Sequence, residues 1–404
     1  MRITTYILLK GDKDMNKLNK RIIALVMSAA VIFLNFTAAY AEKSEALPVD
    51  IKAKAAVLVD VSTGKVLMKH NENERLYPAS VTKIMSLLLV IEAIDGGKIK
   101  LTDTVTVSST AAGKGGSQIW LKEGEQMTVE ELLKATAVYS ANDACTALGE
   151  LVAGSDEAFV DMMNARAKEL GMTNTHFENC TGLDDTVTNH LTTAADIAKM
   201  SVELLHHEMI TKYTTIWMDS LRNGATELVN TNKLIRFYEG ATGLKTGTTS
   251  KAGCCISASA MRNGTHLVAV VLGSSNSNDR FETAKALLNW GFANYCVYTP
   301  SVSRELVPDV KVTGGVEEKI TPVIPEIRPV LIKKGTENEI NCVIDLAADV
   351  CAPVEKGQVL GTAKFMIGNE TVGEYKFTSQ DAVDKLTFSI VFFRILKQTA
   401  ILKK

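Results

Sequence analysis

The sequence has no excess of either charge: 44 lysines and arginines stand against 46 acidic residues, a formal net charge of −2. It has no basic run of the kind that tracks a phosphate backbone, so nucleic acid is not an expected partner. Among the seven cysteines there is no C-x-x-C pair, and no group of His, Cys and Asp has metal-ligand spacing. Zinc and dithiol redox chemistry are therefore not expected, and no cofactor is implied. Six histidines are present, none beside a G-x-S-x-G, so the nucleophile elbow is missing. The apolar run from Ile22 to Phe36 is too short to span a bilayer comfortably. Hydrophobic residues still make up 46% of the chain, ample for a core, which excludes wholesale disorder.

That apolar run has another use. Lys17, Lys20 and Arg21 precede it, and Ala39-Tyr40-Ala41 follows it. A basic n-region, a short h-region and an A-x-A site make residues 1–41 a secretory signal, with the mature chain starting near Glu42 and Met15 an alternative start to Met1. An odd number of cysteines in an exported chain leaves at least one free thiol. The adjacent Cys254-Cys255 lie in an apolar, strand-like run and read as buried small hydrophobes.

The expected elements give an α/β (α+β) organisation. Ala55 to Asp60 and Lys65 to Lys69 read as a hairpin around Ser62-Thr63-Gly64. Helical patterning follows from Ser80 to Ala93, then over 128–153 and 156–170, and from Leu191 to Leu205. Strands return at Gly253–Ala260 and His266–Gly273, before a helix from about Asp279 to Asn294. This pattern implies a catalytic domain over residues 42–300 with an antiparallel sheet and a helical cluster. Residues 301–385, rich in Val, Ile and Thr and punctuated by Gly and Pro, read as a small all-β domain. Residues 386–404 are apolar but broken by Arg394 and Lys397, and read either as an interfacial, membrane-associating helix or as a terminal packing element.

A serine hydrolase without a usable histidine needs another base, and a lysine serves if its pKa is lowered. Ser80-Val81-Thr82-Lys83 places hydroxyl and amine one helical turn apart on one face, ahead of the apolar stretch Ile84 to Ile91. At a helix start, free N–H groups favour a developing oxyanion. S-x-x-K alone is weak, and Ser62-Thr63-Gly64-Lys65 has the same spacing on a turn with no buried helix behind it. Ser140 and Asn142 follow an apolar helical stretch, where they either face the same cleft or cap a helix. Lys245, Thr246, Gly247 and Thr248 lie in a strand-like run suited to holding a carboxylate and a peptide edge, with Gly247 permitting close substrate approach.

Taken together, S-x-x-K, S-A-N and K-T-G in this order resemble the penicillin-recognising serine peptidases and β-lactamases. The surrounding residues resemble the low-molecular-weight D-alanyl-D-alanine carboxypeptidases (peptidase S11): Tyr77 to Lys83, Tyr139 to Ala144, Leu170-Gly171-Met172, His190 with Thr192-Thr193, and Gly243 to Thr249. The resemblance implies a transpeptidase-like fold and an acyl-serine mechanism on peptidoglycan stem peptides ending in D-Ala-D-Ala, with β-lactams as covalent inhibitors. It makes Ser80 the nucleophile, Lys83 the proton acceptor and Ser140 a proton relay. Asn142 then positions the substrate, and Lys245 binds its terminal carboxylate, beside Thr246 and Gly247. The N–H groups of Ser80 and Thr248 form the oxyanion hole. Some family members carry histidine where this chain has Thr248, so a change of rate or preference is expected there. A class A β-lactamase is the nearest alternative; Glu178 stands near its deacylating glutamate, but Gly182 replaces the asparagine of E-x-x-x-N. An inert scaffold has no use for Ser80, Lys83, Ser140 and Lys245 together.

Overall fold

The computed structural model describes residues 48–401, and side chains as far as 396; the expected signal segment lies outside them. The central sheet has five strands: β1 (Ala55–Asp60), β2 (Val66–His70), β3 (Ala241–Thr249), β4 (Gly253–Arg262) and β5 (Thr265–Ser274). Their order is β2-β1-β5-β4-β3, antiparallel throughout. Alternate side chains of a strand point to opposite faces, and here both faces are covered. Ala55, Val57 and Val59 join one core, while Ala56 and Leu58 join the other. On the second face lies the helix Ser277–Asn294, whose Phe281, Leu287 and Leu288 fill that core.

The first face carries the helical cluster, built around α1 (Lys83–Asp95). Ile84, Met85, Leu87, Leu88, Val90 and Ile91 are all buried, so α1 is apolar on every side because it has no solvent side. Each such side chain contributes about 1.5–3 kcal/mol on burial. Around α1 pack α2 (Asn142–Ala153), α3 (Asp156–Glu169) and α4 (Ala194–His206). Ser155 and Thr193 cap the last two, each accepting from the backbone N–H three residues on. The helical patterning over 128–153 holds more than one helix: a π-turn at Ala135–Tyr139 ends in Ser140, whose φ of +70° halts one helix before α2 begins.

From Val310 to Ser379 the chain is built mainly of strands, with a four-stranded sheet ordered Pro322–Val323, Glu370–Ser379, Val359–Ile367, Ile340–Leu346 and a three-stranded one centred on Val310–Thr313. The strand Tyr295–Tyr298 pairs with Val330–Lys333. Residues Phe388–Ile401 form a helix. Among the described residues no helix is long and apolar enough to cross a membrane.

Candidate active site

Ser80 does not sit on α1 itself. It lies in the short 3-10 turn Ala79–Thr82 that leads into it, entered through Ala79 at a φ of +49°. The turn still stacks Lys83 onto Ser80: Nζ donates to Oγ at 3.0 Å and to the Thr181 carbonyl at 2.8 Å. Lys83 is fully buried, and burial lowers its pKa to about 8, against weaker opposing effects of Cys145, Cys180 and Asp143. A lysine in that range exchanges a proton near neutral pH, which a solvated one does not.

The Thr181 carbonyl is held by a compact turn. Asn179 Oδ1 accepts from the backbone N–H groups of Thr181 and Gly182 at 3.1 and 2.7 Å. Gly182, at φ +84°, passes so near the nucleophile turn that a Cβ would fall 1.8 Å from the Ala79 carbonyl oxygen. Thr82 is fixed from beneath by His190. His190 Nδ1 accepts from the Glu178 N–H at 3.0 Å, which leaves Nε2 to donate to Thr82 Oγ1 at 2.8 Å. Burial pushes the His190 pKa down to about 4, so the ring is neutral.

Strand β3 forms the opposite wall. A Cβ at Gly247 would lie 2.7 Å from the Ser80 nitrogen and 2.9 Å from Ala79 Cβ. The glycine therefore admits the Ser80 turn itself to the strand, a reason the sequence reading did not supply. Lys245 is buried; burial first, then Lys83 and Arg280, push its pKa well below the ordinary value. Its Nζ donates only to the Thr246 carbonyl among described contacts, at 3.2 Å. Thr246 Oγ1 donates to Thr231 Oγ1 at 2.8 Å. Behind β3, Arg280 Nη1 reaches the Gly247 carbonyl and Thr248 Oγ1, each at 3.0 Å, and the Cys255 carbonyl at 3.2 Å.

The third wall carries Ser140 and Asn142. The Ser140 hydroxyl and Asn142 Oδ1 are buried with no hydrogen-bond partner in the protein. Both are left for something that enters the cleft. Asn142 Nδ2 donates to the Gly115 carbonyl at 2.6 Å, and its backbone N–H to the Ser117 carbonyl at 2.7 Å. Asp143, buried beside it, accepts from the N–H groups of Ile119 and Leu121 at 3.1 and 3.0 Å.

The decoys fall elsewhere. Ser62 and Thr63 bond the Asp60 carboxylate in the β1–β2 turn, and in Ser274-Ser275-Asn276, a second S-x-N run, the asparagine caps the helix Ser277–Asn294. Glu178 accepts from the Thr188 and Asn189 N–H groups at 3.1 and 2.8 Å, so its carboxylate is engaged in shaping a loop. The acidic grouping Glu92, Glu203 and His207 is likewise occupied: Arg166 bonds both glutamates at 2.7 Å, and His207 bonds Asp95.

Residues 41–276 match the family model of D-alanyl-D-alanine carboxypeptidase, and residues 302–385 that of the penicillin-binding protein 5 C-terminal domain. The chain belongs to the D-alanyl-D-alanine carboxypeptidase family. It is 43% identical over 341 residues to the carboxypeptidase DacF of Bacillus subtilis, covering 83% of this chain and 87% of that one. To the carboxypeptidase DacC of Escherichia coli it is 34% identical over 369 residues, 89% of this chain and 92% of that one. The crystal structure of penicillin binding protein 5 from Haemophilus influenzae superposes with a TM-score of 0.74 at 29% identity, covering 84% of this chain and all of that one. The carboxypeptidase fold of these relatives, a transpeptidase-like α/β domain followed by a β domain, is the fold described above.

Proposed function

We propose that this carboxypeptidase removes the terminal D-alanine from peptidoglycan stem pentapeptides with Ser80 as the acylated nucleophile. The observation that carries the assignment is the buried Lys83 amine 3.0 Å from Ser80 Oγ. Neutral Lys83 takes the hydroxyl proton as Oγ attacks the carbonyl carbon of the penultimate D-alanine. The N–H groups of Ser80 and Thr248 receive the oxyanion. Collapse breaks the peptide bond; the leaving amine takes a proton through Ser140, and D-alanine departs. Water then hydrolyses the Ser80 ester. Asn142 positions the stem, while Lys245 and Thr246 receive the terminal carboxylate, beside Gly247, which lets the Ser80 turn lie against the strand. The lowered pKa of Lys245 supports this, since burial leaves it short of a counter-charge that a carboxylate provides.

The test is D-alanine release from a pentapeptide. Lys245→Ala is expected to cut kcat/KM by about 100-fold, the size of a lost charge-assisted hydrogen bond. Unchanged kinetics would remove Lys245 from the site. With Glu178 engaged by its loop, we also propose that no glutamate speeds ester hydrolysis after penicillin attack, so that penicillin inhibits and is not turned over.

We further propose that residues 1–41 export the chain, that 42–300 and 301–385 are its catalytic and β modules, and that 386–404 touch the membrane surface. Phe388 is 85% exposed and Phe393 67%, with Phe392, Ile395 and Leu396 also in solvent, which supports a helix lying in an interface. Cell fractionation checks both ends: the recovered protein should begin near Glu42 and sediment with membranes, and deleting 386–404 should release it to the soluble fraction. A retained signal, or unchanged sedimentation of the deletion, sinks the corresponding half.

A further inference from the structure

Trp120 is 75% exposed, yet its backbone is left-handed, with a φ of +59°. A bulky residue in that region costs about 1–3 kcal/mol, and an indole in solvent does nothing to offset it. The strain is imposed from both sides. The N–H groups of Ile119 and Leu121 converge on the buried Asp143 carboxylate, and Arg222 Nη1 donates to the Ile119 carbonyl at 2.9 Å. Arg222 is itself left-handed, at φ +53°, and is locked by Glu125 at 2.7 Å. The frame holds the backbone firmly and presents the ring outward.

Beside the ring runs a groove of about 740 Å³, lined by Trp120, Lys122, Glu123, Arg222 and Thr226. The same segment continues into the active site, where Gly115 and Ser117 hold Asn142. Trp120 stands three positions after Ser117, a reach of at most about 11 Å, so the indole is carried by the same short segment that holds Asn142. One exposed aromatic face ringed by charged and hydroxyl side chains suits a ligand with an apolar face and a polar edge. A pyranose ring has that construction, with C–H bonds on its face and hydroxyl and acetamido groups on its rim.

We propose that Trp120 and this groove form a subsite for the amino-sugar strand that carries the peptide stem, the indole stacking on a sugar ring while Lys122 and Glu123 bond its rim. Only the identity of the polymer rests on the carboxypeptidase reading. The test compares Trp120→Ala and Trp120→Phe with the parent on a disaccharide-linked pentapeptide and on the same pentapeptide without sugars. Trp120→Ala should lower kcat/KM on the sugar-bearing substrate by about tenfold, equivalent to about 1.4 kcal/mol. Trp120→Phe should recover most of that loss, and neither variant should move the sugar-free value by more than about twofold. An equal fall on both substrates, or no fall on either, overturns the subsite. A second measurement needs no catalysis. The disaccharide alone should quench the fluorescence of the parent protein and leave Trp120→Phe, which keeps the other two of the three tryptophans, unaffected. No quenching in the parent overturns the proposal even if D-alanine is released; quenching without release upholds it and refutes the carboxypeptidase reading instead.

Discussion

Ser80→Ala is expected to abolish acylation while leaving the fold intact. Mass spectrometry after benzylpenicillin should find the parent protein heavier by one penicilloyl group, on the peptide containing Ser80, and the variant unchanged. D-alanine release should fall by about 10⁴-fold or more, the scale of losing a catalytic nucleophile. The substitution removes one oxygen from a half-buried position whose only side-chain partner is Lys83, so the 3-10 turn and α1 have no cause to rearrange. The result that would sink the assignment is a penicilloyl adduct on Ser80→Ala protein. Rapid appearance of penicilloate with no lasting adduct on the parent would instead favour a lactamase.

The second large effect is at Lys83, and its sign follows from burial. A base must be unprotonated. With a pKa near 8, about one-tenth of Lys83 is neutral at pH 7, about 300-fold more than at a lysine's ordinary value of 10.5. The acylation rate at saturating penicillin should therefore rise with pH and level off above about 8. On the proposed role of Lys245, the penicillin carboxylate is expected to pair with it in the complex and keep its proton on, so that the rise reports Lys83. Lys83→Ala should lose activity almost as completely as Ser80→Ala. Lys83→Arg should be no better, because a guanidinium stays charged throughout this range. A flat pH profile, or substantial acylation by Lys83→Arg, would assign the base elsewhere.

Much of the site was legible because it is local. Ser80 and Lys83 are three residues apart, and that spacing brings their side chains together in a 3-10 turn as it does in an α-helix. Lys245 to Thr248 share one strand. What escaped depends on contacts remote in sequence. His190 steadies Thr82 across 108 residues, and Lys83 meets the Thr181 carbonyl across 98. Arg280 backs the Gly247 carbonyl across 33, from a helix that the sequence reading left outside the site. No local pattern reports such pairings. The break at Ser140 falls where a hydroxyl and an amide were expected between helices; only its left-handed φ went unannounced, since serine gives no warning of one. The decoys were separable by context, since a turn has no buried helix to hold a lysine beside its serine.

The contact at Gly247 bears on how such an enzyme evolves under antibiotic pressure. Any side chain there pushes against the Ser80 amide and the Ala79 methyl. Gly182, pressed on the Ala79 carbonyl, closes the other flank. If Ser80 is the nucleophile proposed above, a lineage seeking to shed penicillin has no silent step at either position, because a side chain that excludes the inhibitor there also displaces the serine. Tolerated variation is expected to begin farther out, where strand β3 leaves the Ser80 turn behind.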